Sequence, residues 1–137
     1  WQRSAADFAN FKRRTEQERS EAAKMAGAMA IMKLLPAVDD LERALASLPK
    51  DLAGLTWVDG IGLIYRKMMG ALESEGVQPI EALNQRFDPQ LHEAVMSGPG
   101  EENVVVAELQ RGYTLHGAVI RPAMVKVGNG ENPAAGE

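Results

Sequence analysis

Apolar residues along the first third of the chain recur every three or four positions, the spacing of one face of a helix. From Ala5 to Leu48 the only breaker residues are Gly27 and Pro36, set among Ala, Glu, Lys, Arg, Met and Leu. These are strong helix formers, and they predict one long helix, on the order of 60 Å at 1.5 Å per residue. Phe8, Phe11, Thr15, Glu18, Ala22, Met25, Met29 and Met32 follow a heptad seam. Its polar and small members, Thr15, Glu18 and Ala22, make it a poor one. Ile31, Leu34, Val38, Leu41, Leu45 and Leu48 repeat the spacing on a shifted phase and are far more apolar. A helix this long cannot bury its stripe within its own chain. The pattern predicts a loose pair of helices running into a tighter bundle, with Pro36 bending the helix near the junction.

The segment Ser47 to Gly54 reads as a loop from its Pro and Gly. Thr56 offers an N-cap, with Asp59 three residues on as a variant capping box. Trp57, Ile61, Ile64, Met68 and Leu72 then predict a second amphipathic helix to about Glu75, with Gly76 placed as its stop. Two chains, each giving this helix and the end of the first, would make a four-helix bundle. After Gly76 the period changes. Val77–Ile80, Val104–Leu109 and Val119–Val127 read as short strands, and turns flank a very short strand at Tyr113–Leu115. Pro122 marks an edge or bulge within the last run. Val105, Ala107 and Leu109 alternate onto one face, as do Val119, Ala123, Val125 and Val127. Asp88-Pro89 predicts an N-cap and first turn of a short helix carrying Leu91 and Val95. The expected fold class is α+β. Residues 1–75 form the helical stalk and bundle, 76–128 a small, compact all-β domain, and 129–137 a disordered tail.

Composition and charge narrow the function classes. Net charge is −4, unevenly spread. Residues 1–33 hold seven Lys/Arg against four Asp/Glu, a balance of +3; the rest hold eight against fifteen, a balance of −7. The acidic body argues against nucleic acid as the main partner. No apolar run has the roughly 20 residues of a membrane span. Cysteine is absent, which removes disulfides and thiolate chemistry and fits a reducing compartment. The helical pattern is already under way at Trp1, so the chain is expected to be a fragment of a longer protein. His92 and His116 are isolated, and nothing at metal-ligand spacing accompanies them. Gly60 and Gly62 lie in a predicted helix, not in a phosphate loop. No catalytic residues, metal site, cofactor or small-molecule substrate emerge. Met25, Met29, Met32, Met68 and Met69 read as soft core filling. The one basic run, Lys12-Arg13-Arg14, is open between a solvated helix face and charges presented to an acidic partner.

In order along the chain, five segments carry a resemblance to the GrpE family of nucleotide exchange factors. They are FANFKRRTEQE (8–18), LLPAVDDLERAL (34–45), VDGIGLIYRKM with GVQPI (58–68 and 76–80), FDPQLHEAV (87–95) and RGYTLHGAVIRPAMVKV (111–127). The resemblance implies a parallel homodimer that grips the ATPase domain of a DnaK-type chaperone, opens its nucleotide cleft and speeds ADP release, without being an enzyme. It implies stalk contacts at Lys12 and Arg13, a bundle contact at Gly60, and a β-domain contact surface at Phe87, Leu109 and Val127. Dimerisation falls to Phe8, Phe11, Met25, Met29, Leu34, Val38, Leu41, Leu45, Ile61, Ile64 and Met68. His92, Tyr113 and Arg121 are further signature positions, Tyr113 as β-domain core. A bacterial cytoplasm is implied, with the mitochondrial matrix as the alternative. Two other readings stand beside this one: a structural coiled-coil adaptor that docks a partner without altering nucleotide release, and an enzyme with a site across the dimer, for which no reactive cluster speaks.

The unburied seam generates a first prediction. Sedimentation equilibrium at micromolar concentration should return twice the 14.8 kDa chain mass. A clean monomer would exclude pairing through the helices.

Overall fold

The computed structural model describes residues 2–132. Helix α1 spans Gln2–Ala46, with Pro36 inside it, and α2 spans Thr56–Ser74. Six strands follow: β1 Val77–Pro79, β2 His92–Gly98, β3 Val105–Gln110, β4 Tyr113–Leu115, β5 Ala118–Arg121 and β6 Ala123–Gly128. Residues 1–35 and 36–137 form two compact units.

In the first unit, α1 carries its apolar stripe in the open. Phe8 is 68% exposed and Phe11, Met25, Met29, Met32 and Leu34 are exposed as well. The three methionines of this stripe are therefore not core filling within the chain. Thr15, polar in the expected seam, is accommodated locally: its hydroxyl donates to the Phe11 carbonyl one turn back, at 2.9 Å.

The second unit begins with the last turns of α1. The Ser47 amide closes onto the Arg43 carbonyl at 3.0 Å, and a run of turns leads to α2. The cap differs from the expected one. Leu55, in extended backbone, is the N-cap and offers no side-chain acceptor, while Thr56 is already the first helical residue. Asp59 remains in the first turn, where a negative charge meets the positive end of the helix dipole. At the far end Gly76 takes φ +92° and its amide reaches the Glu73 carbonyl at 2.9 Å, the expected glycine stop.

The strands form two three-stranded sheets, ordered β1-β4-β5 and β2-β6-β3. In the first, all pairs are antiparallel, and β4 turns into β5 through His116 and Gly117, both at positive φ. In the second, β6 lies between β3, antiparallel, and β2, parallel. Two expectations fail here. Val119–Val127 is not one strand: Pro122, with no amide proton for a ladder, stands where the chain leaves β5 in one sheet and enters β6 in the other. Val119 therefore does not share a face with Ala123, Val125 and Val127. Nor does a helix follow Asp88. The Asp88 carboxylate accepts from the Gln90 amide at 2.9 Å, a turn forms, and Val95 lies in β2 with Leu91 just before it. Pairing of β2 with β6, far along the chain, prevails over the local helix signal.

Ala82, Val105, Ala123 and Val125 make the buried cluster of the second sheet, with Phe87 and Val127 packed against it. Tyr113, on β4, is fully buried, as its core reading required. Val38, expected in the seam between chains, is only 1% exposed within its own chain. Leu41, Leu45, Ile61 and Met68 are half-buried, while Ile64 is exposed. Past β6, the run expected to be a disordered tail starts with hydrogen-bonded residues. The Asn129 amide meets the Gly98 carbonyl and the Gly100 amide the Glu131 carbonyl, both at 2.9 Å. Residues 133–137 of that expected tail lie outside the described residues.

Gly112 passes so close to the start of β6 that a Cβ there would stand 2.4 Å from the Ala123 nitrogen. Gly112→Ala is expected to cost about 1–3 kcal/mol, the usual range for overpacking, whereas Gly60→Ala, whose Cβ would meet nothing, should stabilise α2 by up to about 1 kcal/mol. Urea unfolding of the two variants checks this. Equal stabilities would mean that the approach at Gly112 does not constrain the domain.

Candidate functional site

Asp39 and Glu42 stand three residues apart near the end of α1, a spacing that puts them on one face. Each is met by groups from far along the chain. Arg121, the last residue of β5, donates through both terminal nitrogens to the two Asp39 oxygens, at 2.6 and 2.7 Å. This fork-to-fork pair is the strong geometry for guanidinium and carboxylate. Gln110, at the end of β3, adds a bond to Asp39 at 2.9 Å. The same Arg121 donates from Nε to the Arg111 carbonyl at 3.1 Å and lies 5.3 Å from the centre of the Tyr113 ring. Burial raises the Asp39 pKa, but the bonds and charge of Arg121 and the bond from Gln110 outweigh it, and the carboxyl is held below its ordinary 3.8.

Glu42 gathers three residues on one oxygen. Oε1 accepts from the Tyr65 hydroxyl of α2 at 2.6 Å and from the Tyr113 hydroxyl of β4 at 3.3 Å, with Arg111 at 3.7 Å. Burial, then the bond to Glu42 and its charge, push the Tyr65 hydroxyl up to about 12. Tyr113 is raised too, by burial and by the charge of Glu42. Burial works against the charge of Arg111, yet the surrounding Glu42, Tyr65, Tyr113 and Glu108 raise its pKa. Glu108, 3.8 Å from Arg111, is raised because burial outweighs that attraction. Both phenols thus stay neutral donors. The cluster joins α1, α2 and the strands, and it presents no activated nucleophile. Among the described residues no group of His, Asp and Glu could hold a metal ion, and no helix is long and apolar enough to cross a membrane.

The residues singled out from sequence are not gathered into one site. Lys12 and Arg13 are exposed on α1 in the first unit, and neither has an ion-pair partner among the described residues. Lys12 borders an open hollow with Phe8, Phe11, Thr15 and Arg19. Gly60 is exposed on α2, beside the exposed Trp57, Leu63 and Ile64. On the second sheet the three expected contact residues part company. Leu109 is 51% exposed, while Phe87 and Val127 are half-buried against the core cluster. Val127 pairs with Val105, at the other end of β3 from Leu109. His92 is buried. Its Nδ1 accepts the Asp88 amide at 3.0 Å, its Nε2 has no hydrogen-bond partner among the described residues, and its ring is tilted against Phe87 at 5.9 Å. Sequence reasoning missed Asp39, Glu42 and Tyr65. The first two lie within the quoted 34–45 segment, but nothing local links Asp39 to an arginine 82 residues on.

Comparison with known proteins places these features. A family model described as GrpE matches residues 1–129. The curated relative named Protein GrpE from Bacillus pumilus is 45% identical over 128 residues, covering 91% of this chain and 69% of that protein. The one from Parageobacillus thermoglucosidasius is 46% identical over 125 residues, 89% of this chain and 56% of that protein. A third, from Methanosphaera stadtmanae, is 47% identical over 129 residues, 92% and 72%. The chain therefore spans from 56% to 72% of the length of these relatives.

The Asp39 environment yields a pH prediction. Its folded pKa lies below the unfolded value, so its stabilisation is present above the unfolded value and is lost as pH falls through the folded one. Asp39→Asn should lose about 3 kcal/mol at neutral pH, because it leaves the mostly buried Arg121 charge unmatched. Below about pH 4 the stability curve of the variant should be flatter than that of the parent. Parallel curves in urea titrations across that range would assign the acid sensitivity elsewhere.

Proposed function

This chain belongs to the GrpE family, and we propose that it is a nucleotide exchange factor for a DnaK-type chaperone. On this reading it works as a homodimer, binds the ATPase domain of the chaperone in a reducing cytoplasm, opens the nucleotide cleft and accelerates ADP release. The observation that carries the reading is the family match over 1–129, which takes in all five quoted segments. The surfaces agree with it. An apolar stripe on α1 stands free for a second chain, Lys12 and Arg13 stand free for an acidic partner, and Leu109 stands free as an apolar anchor.

No bond chemistry is needed. Such a factor acts by binding the open chaperone more tightly than the closed, ADP-bound one. A thousandfold faster release asks for about 4 kcal/mol of differential binding, at roughly 1.4 kcal/mol per tenfold. A few anchors worth about 2 kcal/mol each supply that. Exposed charges such as Arg13 contribute mainly to the rate of encounter.

Release of fluorescent ADP from a DnaK-type ATPase domain, with and without the protein, is the test. Acceleration is expected, and Leu109→Ala should lose about tenfold of it, a value typical of one anchor, with no change in melting. Val127→Ala should instead lower the melting temperature, because that side chain packs on the core cluster. Binding without any acceleration would identify a docking adaptor, and the exchange reading would fall.

A further inference from the structure

Leu109 is the exposed apolar side chain at the end of β3, yet the ladder does not hold it. The β3–β6 register shifts between Glu108 and Gln110, so Leu109 sits at an irregularity with no partner of its own in β6. A residue in such a bulge is free to turn unless something else fixes its backbone. Here the residues on either side of it are tethered by side chains. Gln110 is bound to Asp39 at 2.9 Å. The carbonyl of Arg111 accepts from Arg121, which itself grips both oxygens of Asp39. On the other side, Glu108 pairs with Arg111 at 3.8 Å, and Arg111 with Glu42 at 3.7 Å.

We propose that Asp39, Arg121 and Gln110 are positioning residues that fix where Leu109 stands for its partner. They touch no ligand. Their work is to replace, with an ion-pair clamp onto α1, the ladder that the bulge removes. An anchor held in its bound conformation loses less freedom on association, so the clamp adds affinity without adding contact area. The inference rests on the exchange-factor reading for the identity of the partner, but the presentation of Leu109 is a property of the chain alone.

The test is a double-substitution cycle between Gln110→Ala and Leu109→Ala. Gln110→Ala removes one hydrogen bond and leaves the Asp39–Arg121 pair in place. Binding to a nucleotide-free DnaK-type ATPase domain is measured by calorimetry. Gln110→Ala should weaken binding about fivefold with unchanged circular dichroism and melting, and Leu109→Ala should then cost at least about threefold less than it does in the parent, the coupling expected of interacting positions. Arg121→Lys, which keeps the charge and loses the fork, should behave like Gln110→Ala when measured at a temperature where its melting curve shows it folded. Independent effects of the two substitutions would overturn the proposal. Hydrogen exchange in the isolated protein separates this inference from the functional reading. Gln110→Ala should speed exchange at the Leu109 and Gln110 amides about tenfold, the mark of a local opening, whether or not any chaperone is bound. If the parent protein fails to speed ADP release while that exchange effect appears, the family-based function falls and the positioning role stands. Unchanged exchange would sink the positioning role whatever the chaperone does.

Discussion

A carboxylate taken mostly out of water has to be met by opposite charge and by donors, or it destabilises the fold that buries it. Asp39 and Glu42 impose that requirement on everything downstream of α1. Arg121 can reach both oxygens of Asp39 only if β5 ends beside the helix, and Gln110 only if β3 ends there too. Tyr113 can place its hydroxyl on Glu42 only if β4 runs inward, which also buries its ring under the Arg121 guanidinium. Tyr65 brings α2 to the same oxygen. Four elements thus answer to two side chains one helical turn apart. The break at Pro122 follows directly after Arg121: the chain leaves the first sheet there, and a residue without an amide proton is well suited to that exit.

What could be read from sequence was what local physics decides. The long run of helix formers gave α1 within a few residues of its observed ends, and Gly76 stopped α2 because only glycine takes its left-handed backbone freely. The β4–β5 turn was equally legible from the glycines around Tyr113–Leu115. The failures share a cause of the opposite kind. Asp88-Pro89 carries every local mark of a helix start, yet β2 pairs in parallel with a strand some thirty residues on. Val119 to Val127 alternates like one strand, and although Pro122 marks an irregularity in it, nothing in the run tells that its two halves pair in different sheets. Thr56 looks like a cap but is displaced by one residue, because Leu55 supplies the extended backbone.

The candidate contact residues show how the same limit acts on function. Alternation puts Leu109 on an apolar face of β3 and Val127 on one of β6, and the family resemblance names both as contacts. The register shifts at Val105–Ala107 and at Glu108–Gln110 cancel that equivalence. Val127 lands opposite Val105 and packs on the core, while Leu109 turns out to solvent. A bulge is an odd residue in an even pattern, and no count of apolar positions anticipates it. Val38 teaches the converse. It continues a heptad stripe that periodicity assigns to the space between chains, yet it is almost fully buried within its own chain.

The ionisable groups of the cluster are arranged to avoid reactivity, and that bears on what kind of protein this is. A catalytic pair needs one group poised to give or take a proton near neutral pH. Here Glu108 is raised toward that range by burial, while the other shifts move away from it. Asp39 is held ionised by Arg121, and the phenols of Tyr65 and Tyr113 are driven upward by burial and by the negative charge of Glu42. Such a network is stiff. On the proposed exchange-factor reading, a fixed network beside a contact residue keeps that surface in shape when a partner binds. If Leu109 is the contact proposed above, its exposure and the ion pair beside it belong to one arrangement: the side chain faces outward while Asp39 and Arg121 hold the strands next to it.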